Sequence, residues 1–170
     1  ASEKIDKEIQ PSSKQGQFSL IMDTLANDIP SGKSCLAEVI GTLASQIRRK
    51  SIVIIISDFL EETESLIRAL EGLRFRQHEL MLLKIHDPSE IQLPFSNMVK
   101  FVDSETGKEI TVDMVEIEEK YRTSFRTSEQ SISDFCNRTR SQFSLAQTGD
   151  PVEIFLRQLL IRRKRLGGVK

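Results

Sequence analysis

The chain has 170 residues, 38% apolar and 29% charged, a balance typical of one globular domain with a real core. A net charge of −1 excludes a strong general attraction to nucleic acid or to an anionic membrane. No apolar stretch is long enough to span a bilayer and no signal-peptide pattern opens the chain, so we expect a cytoplasmic protein. Cys35 and Cys136 lack a CxxC partner, which favours free thiols over a disulfide or zinc site.

The N-terminal third predicts a polar arm and two helices. Residues 1–17 are polar and indicate a loose arm or remnant strand, which precedes a domain over residues 18–166 and a tail over 167–170. Apolar residues between positions 18 and 25 predict a short helix before Pro30. A second helix, with Ser34 as its candidate N-cap, has a continuous apolar stripe of Leu36, Val39, Ile40, Leu43, Ala44 and Ile47.

The most informative segment runs from Ile52 to Ile56 and leads into Ser57-Asp58. Such an unbroken β-branched run predicts a parallel strand covered on both faces. Asp58 then lies at the strand's carboxyl end, where open α/β sheets bind ligands and metals. The alternative is that Asp58 only caps the next helix.

The remaining elements alternate in the same way. A helix with Leu66, Ile67, Leu70 and Leu73 on its core side precedes a second parallel strand, predicted over Glu79–His86. After a loop marked by Pro88 and Pro94, alternating runs around residues 104–107 predict a small hairpin. The chain should end in a long helix from Asp113, a strand at 142–146 and a helix opened by Asp150-Pro151. The long helix should bury Ile117, Tyr121, Phe125, Ile132 and Phe135, and the last helix Val152, Phe155, Leu156, Leu159 and Leu160. This order predicts a three-layer α/β domain with a mostly parallel sheet and helices on both faces.

Several short motifs carry weaker signals. Gly32-Lys33-Ser34 resembles the end of a phosphate-binding loop, but Asn27 replaces the required glycine and no strand precedes it. Asp87-Pro88-Ser89 resembles the start of an Asp-x-Ser-x-Ser metal motif, but it is interpreted as part of a loop. His86 is interpreted as a hydrogen-bonded residue at a strand end, and His78 as part of a surface turn.

The order and spacing of several landmarks resemble the family known as domain of unknown function fifty-eight, from about Gln10 to Arg165. These landmarks are Ser57-Asp58-Phe59, Gln77-His78-Glu79, His86-Asp87-Pro88-Ser89-Glu90, Leu93-Pro94-Phe95, Phe101-Val102-Asp103-Ser104-Glu105-Thr106-Gly107, Tyr121 and Thr148-Gly149-Asp150-Pro151. That family is similar to von Willebrand factor type A domains, which are Rossmann-like and carry a metal-ion-dependent adhesion site. Its members are commonly encoded beside MoxR-type AAA+ ATPases and are thought to act with them in protein assembly or maturation.

The resemblance implies a specific but incomplete site. Asp58 matches the acidic ligand of the third loop of the adhesion site, and Ser34 falls where the second loop has a threonine. Together they would contribute oxygen ligands to Mg²⁺ in a full-length form. The first loop, Asp-x-Ser-x-Ser, is not in this sequence and is expected upstream of residue 1, so tight metal binding is not expected. The same comparison implies that two strands and a helix are missing, which would leave strand 51–57 with an exposed edge that favours self-association.

The leading functional hypothesis is a non-enzymatic protein-interaction domain whose partners are a MoxR-type AAA+ ATPase and a client protein. The alternative is a receiver-like signalling domain in which Asp58 accepts a phosphoryl group, although no acidic pair for Mg²⁺ is evident and Lys84 could be mistaken for the required lysine. A third possibility is a nucleotide-binding enzyme that uses Gly32-Lys33-Ser34.

Overall fold

The computed structural model describes residues 5, 7–28, 35–92, 98–102 and 107–165 of the chain. Outside these ranges lie Ser34 as a helix cap or metal ligand, the Gly32-Lys33-Ser34 motif, the loop at Pro94, the hairpin turn at 104–106 and the tail at 167–170. Within the described residues, no helix combines the length and apolar character that crossing a lipid bilayer requires.

The described residues form a mixed α/β structure. Its elements, in chain order, are α1 (Gln17–Ala26), α2 (Leu36–Gln46), β1 (Ile52–Ser57), α3 (Thr63–Phe75), β2 (Glu79–His86), α4 (Pro88–Gln92), β3 (Met98–Val102), β4 (Glu109–Asp113), α5 (Met114–Thr139), β5 (Gln142–Gln147) and α6 (Val152–Arg165). Apart from α4, each of them corresponds to an element predicted from the sequence.

The main sheet is parallel and has three strands in the order β1-β2-β5. Ile54 aligns with Met81, and Met81 aligns with Gln142, so β2 is paired on both sides. Among the described strands β1 forms an edge. The predicted hairpin is also present, because β3 and β4 pair antiparallel from Met98 opposite Asp113 to Val102 opposite Glu109.

One face of the sheet carries the main core. Alternate residues of β1 and β2 point to this face, and α2, α3 and α5 cover it. The core consists of Ile40, Ala44, Val53, Ile55, Phe59, Leu66, Leu70, Leu73, Leu80, Leu82, Ile132, Phe135 and Cys136. The predicted apolar stripes of α2 and α3 are confirmed, as is burial of the C-terminal half of α5. The N-terminal half of α5 is less buried, since Ile117, Tyr121 and Phe125 are only partly covered.

The opposite face is covered only in part, which corrects the prediction for β1. Helix α6 packs Leu159 and Phe155 onto Met81 and Leu83 of β2. No described element covers the outward side chains of β1, and Ile52, Ile54 and Ile56 are 46%, 53% and 61% exposed. The strand therefore alternates between buried and exposed residues. The β-branched run reflects strand propensity, which does not require two covered faces.

Two helices also expose apolar residues that were expected to be buried. On α6 only Leu159 is fully buried and Phe155 partly so, whereas Val152, Leu156 and Leu160 are exposed. The reason is that α6 contacts the sheet along one narrow line and has no described neighbour on its other sides. Helix α1 forms as predicted but contains no buried residue.

Two local interpretations are also wrong. His78 is buried rather than in a surface turn. Its Nδ1 accepts a hydrogen bond from the Ser51 backbone N–H at 3.2 Å, and this bond links the starts of β1 and β2. The segment from Pro88 is the short helix α4 rather than a loop. Its start is consistent with proline at the first helical position and with Asp87 accepting the Ser89 backbone N–H at 2.9 Å.

Two neighbouring isoleucines of β1, Ile54 and Ile55, offer a direct test of the difference between the covered and the open face of the sheet. We expect Ile55→Ala to lower the free energy of unfolding by about 3 kcal/mol, because Ile55 is 7% exposed and its removal leaves a core cavity. We expect Ile54→Ala to cost less than about 1 kcal/mol, because its side chain lies on the open face. Urea denaturation of the two variants measures the difference, and equal losses would mean that the outer face is covered.

Candidate functional site

Asp58 lies at the carboxyl edge of the parallel sheet, directly after β1. Its Oδ1 accepts hydrogen bonds from the Ser57 hydroxyl and the Leu60 backbone N–H, both at 3.3 Å, and the carboxylate is exposed. Phe59 has a left-handed φ of 53°, and its ring is buried in the core. A non-glycine residue keeps this backbone conformation only where its surroundings require it, and here the buried ring does so.

The alternative interpretation of Asp58 as the cap of the next helix is wrong. Helix α3 begins at Thr63, with Glu62 at its N-cap position. Asp58 instead closes a small turn at the strand end through Leu60. Its carboxylate is thus presented to solvent at the sheet edge.

The second half of the proposed metal site, Ser34, is outside the described residues. Among the residues that the structure describes, no three His, Cys, Asp or Glu side chains gather closely enough to hold a metal ion. Asp58 by itself supplies one carboxylate, whereas Mg²⁺ requires octahedral coordination by several oxygen atoms. The described residues alone do not fit that ion, and the Ser34–Asp58 pair stays a prediction.

Lys84, which the sequence analysis considered only as a possible receiver lysine, is buried beside the same edge of the sheet. It lies in β2 opposite Ser57 of β1. Its side chain is 2% exposed, yet its Nζ has only a long contact of 3.5 Å to Glu129 Oε2 and lies 3.8 Å from the centre of the Phe125 ring. The sequence did contain a signal for this burial, namely a lysine within the apolar run of a predicted parallel strand. Buried positions of this kind rarely carry a charge unless it is paired.

A cavity of about 320 Å³ adjoins Lys84 between the sheet edge and α5. Its walls combine aromatic rings, hydroxyl groups and the start of α3, and they include Phe59, Thr63, Lys84, Tyr121, Phe125 and Ser128. The hydroxyls of Thr63 and Ser128 are hydrogen-bonded at 2.8 Å across it. Burial raises the pKa of Tyr121, and Glu90 adds to the shift, so this phenol stays protonated at neutral pH.

Glu61 joins this region to α2. Its carboxylate accepts the backbone N–H groups of Leu36 and, at 3.2 Å, of Ala37. These are two of the unpaired donors at the start of α2, so Glu61 caps this helix, and the predicted cap Ser34 lies outside the described residues. The carboxylate at the cavity wall is therefore already engaged by the positive end of a helix.

Asp87 organises the end of β2. Hydrogen bonds from the Ser89 side chain, the Thr148 side chain and the Ser89 backbone lower the pKa of Asp87 to about 2. The Thr148 bond links the β2 end to the residue just after β5, so Asp87 holds two strand ends together. Neighbouring His86 is buried, and its Nδ1 has no hydrogen-bond partner within the described structure, contrary to expectation.

The two cysteines are free, as predicted. Burial raises the pKa of the Cys136 thiol to about 12, so this group remains protonated at neutral pH. A protonated thiol packed in a core is a poor nucleophile, which makes Cys136 a packing residue. Cys35 is half-buried immediately before α2.

The depressed pKa of Asp87 predicts a specific pH dependence. A folded-state pKa below the ordinary value of 3.8 means that the ionised carboxylate stabilises the fold above that pH and loses this effect as pH falls to about 2. We therefore expect the stability difference between the wild type and Asp87→Asn to shrink across this window in chemical denaturation. Ser89→Ala removes the donor with the largest effect on this pKa, so it should also weaken the dependence of stability on pH. A stability difference between the wild type and Asp87→Asn that does not change with pH would contradict the lowered pKa of Asp87.

Comparison with known proteins places the chain in a family. A family profile described as protein of unknown function DUF58 matches residues 1–133. An uncharacterized protein from Mycobacterium avium is 36% identical over 80 residues, which are 46% of this chain and 46% of that protein. The chain thus spans about half the length of the curated relative it matches, and no solved structure matches it. Because the family profile covers more than half of the sequence, the chain belongs to the family of proteins of unknown function DUF58.

Proposed function

We propose that this chain is a non-enzymatic protein-interaction domain that acts with a MoxR-type AAA+ ATPase in the assembly or maturation of other proteins. The single observation that supports it best is the open apolar face of β1, formed by Ile52, Ile54 and Ile56. Three exposed isoleucines at alternate positions of one strand form a surface that a soluble domain normally covers with a partner.

The surroundings of this face suit protein docking. Strand β1 is paired only with β2 among the described residues, so its outer backbone N–H and C=O groups are available to an added strand. Ile54 and Ile56 also lie beside Met81 and Leu83, which continue the apolar surface under α6. A partner segment could therefore gain both main-chain hydrogen bonds and apolar contacts.

The kind of partner follows from the family resemblance. In von Willebrand factor A-like domains the carboxyl edge of the sheet is the docking edge, and Asp58 occupies that edge beside the open face. The expected association of DUF58 family members with MoxR-type ATPases supports the choice of an ATPase rather than an unspecified protein. A client protein would then be the second partner.

The open face yields a sharp binding test. We expect the double variant Ile54→Glu/Ile56→Glu to weaken binding to the purified MoxR-type ATPase at least about tenfold, because an apolar contact would have to bury two carboxylates. The matched control is Val102→Glu/Ile110→Glu, which alters two exposed apolar residues of the hairpin. Biolayer interferometry measures the affinities.

Two results would contradict the proposal. The first is absence of ATPase binding by the wild-type chain, and the second is equal affinity of the face variant and the hairpin control. Sedimentation velocity on the same proteins tests the other possible occupant, a second copy of the chain. If the wild type is a dimer, and the Ile54→Glu/Ile56→Glu variant is a monomer while the hairpin control stays dimeric, the open face would be assigned to self-association instead.

The receiver-like alternative keeps one supporting observation. Asp58 follows β1, and Lys84 lies in the neighbouring strand opposite Ser57, so a carboxylate and an ammonium group occur near one sheet edge. A phosphoryl-accepting aspartate requires such a lysine together with acidic residues that hold Mg²⁺. The buried contact of Lys84 with Glu129 and Phe125 points away from that role.

Acetyl phosphate separates the two functions. The interaction proposal predicts no stable mass increase at Asp58 after incubation with acetyl phosphate and Mg²⁺, as measured by intact-protein mass spectrometry. Addition of one phosphoryl group that disappears in Asp58→Asn but persists in Asp87→Asn would replace it with the receiver assignment.

A further inference from the structure

We propose that the cavity beside Lys84 is a binding site for a small monocarboxylate with an apolar body. This site is separate from the open face of β1. Lys84 lies on the face of the sheet that α2, α3 and α5 cover, because it alternates with Leu80 and Leu82, whereas Ile54 and Ile56 lie on the other face. The two surfaces can therefore be tested independently.

The buried ammonium group of Lys84 lacks sufficient acceptors. It carries three N–H donors. Within the part of the chain that the structure describes, Glu129 is its one charged partner, at 3.5 Å, the outer limit of a hydrogen bond. The Phe125 ring, 3.8 Å away, contributes attraction but accepts no conventional hydrogen bond. Since a buried cation is costly unless paired and hydrogen-bonded, an anionic oxygen in the adjoining cavity would complete its coordination.

The other polar groups of the cavity are also suited to an oxyanion. The hydroxyls of Thr63 and Ser128 form its side wall, and Ser124 lies near them. The positive end of α3, a helix of 13 residues, begins at Thr63, and its N-cap residue Glu62 makes no side-chain capping bond. The first N–H groups of α3 are thus not capped by the Glu62 side chain, and Thr63 at the start of this helix lines the cavity.

The charge around the cavity favours a monoanion over a dianion. Glu61 and Glu62 form part of the wall, and Glu129 contacts Lys84 from α5. Glu61 is engaged by the N–H groups at the start of α2, and Glu62 accepts a hydrogen bond from Ser65. Even so, three nearby carboxylates disfavour a phosphate dianion relative to a single carboxylate.

The size and the aromatic walls select the rest of the ligand. A volume of about 320 Å³ is near the lower end of the range of about 300–1,000 Å³ for small-molecule pockets. The aromatic residues Tyr121 and Phe125 line one part of it. A carboxylate attached to a small apolar group would therefore place its charge at Lys84 and its body against these rings.

The experiment uses benzoate as the probe on the full chain. Ligand-observed saturation-transfer NMR and isothermal titration calorimetry should detect benzoate binding, but no binding of benzamide or inorganic phosphate at the same concentration. Benzamide has the same shape without the charge, and phosphate has charge without the apolar body. Absence of benzoate binding, or equal binding of benzamide, would overturn the proposal.

Variants then assign the site. Lys84→Met should abolish benzoate binding, whereas Lys100→Met, which removes an exposed lysine of the hairpin, should leave it unchanged. Glu129→Gln removes the carboxylate that competes for Lys84, so benzoate should bind about fivefold tighter, the effect of one partly exposed charge pair. A merely structural role for the Lys84–Glu129 pair predicts weaker binding in both variants, and that result would overturn the proposal.

A final variant covers the case in which Lys84→Met does not fold. Ser128→Ala retains the Lys84–Glu129 pair and removes one hydroxyl from the cavity wall. With circular dichroism confirming the fold, we expect weaker benzoate binding by about threefold or more, the loss of one hydrogen bond. Unchanged binding in Ser128→Ala together with no gain in Glu129→Gln would overturn the proposal.

Discussion

The pairing of β2 between β1 and β5 is the constraint on which the rest of the structure depends. Alternate residues of any β-strand point to opposite faces of the sheet, and pairing on both sides fixes the register of β2. Leu80 and Leu82 enter the main core, while Met81 and Leu83 meet α6. Burying a leucine side chain contributes about 1.5–3 kcal/mol, so a register shift of one residue would forfeit several such contributions on both faces.

The same alternation explains the location of the two surfaces for which we propose binding. Two residues beyond Leu82, Lys84 is carried into the core side, where its ammonium group meets one distant carboxylate and a cavity. On the other face, α6 covers β2 but leaves the isoleucines of β1 exposed. A buried charge with few partners and an uncovered apolar strand are both costly for an isolated domain. We propose a ligand for the buried charge and a protein partner for the apolar strand.

The sequence predicted most of the elements but less of their environment. Helical spacing from Leu36 to Ile47 and the apolar run of β2 correctly predicted an element and its buried side, because α2 and β2 are covered where their patterns require it. The isoleucine run of β1 and the stripe of α6 were misleading. In both cases the composition suits burial, but no described neighbour lies against the outer side chains. The prediction that His78 lies in a surface turn was wrong for the opposite reason. A polar residue after a helix can be buried when a backbone N–H from a distant part of the chain donates a hydrogen bond to it.

By itself, the sequence determined the α/β class, the parallel strands, the hairpin and the location of Asp58 at a strand's carboxyl end, because these follow from short-range periodicity and turn chemistry. Only the tertiary structure decided which face of β1 is open, that Glu61 caps α2, and that Lys84, Glu129 and Phe125 meet beside a cavity. These contacts join residues 25 to 45 positions apart in the chain. No local pattern encodes such distances, because they arise only when the helices pack onto the sheet.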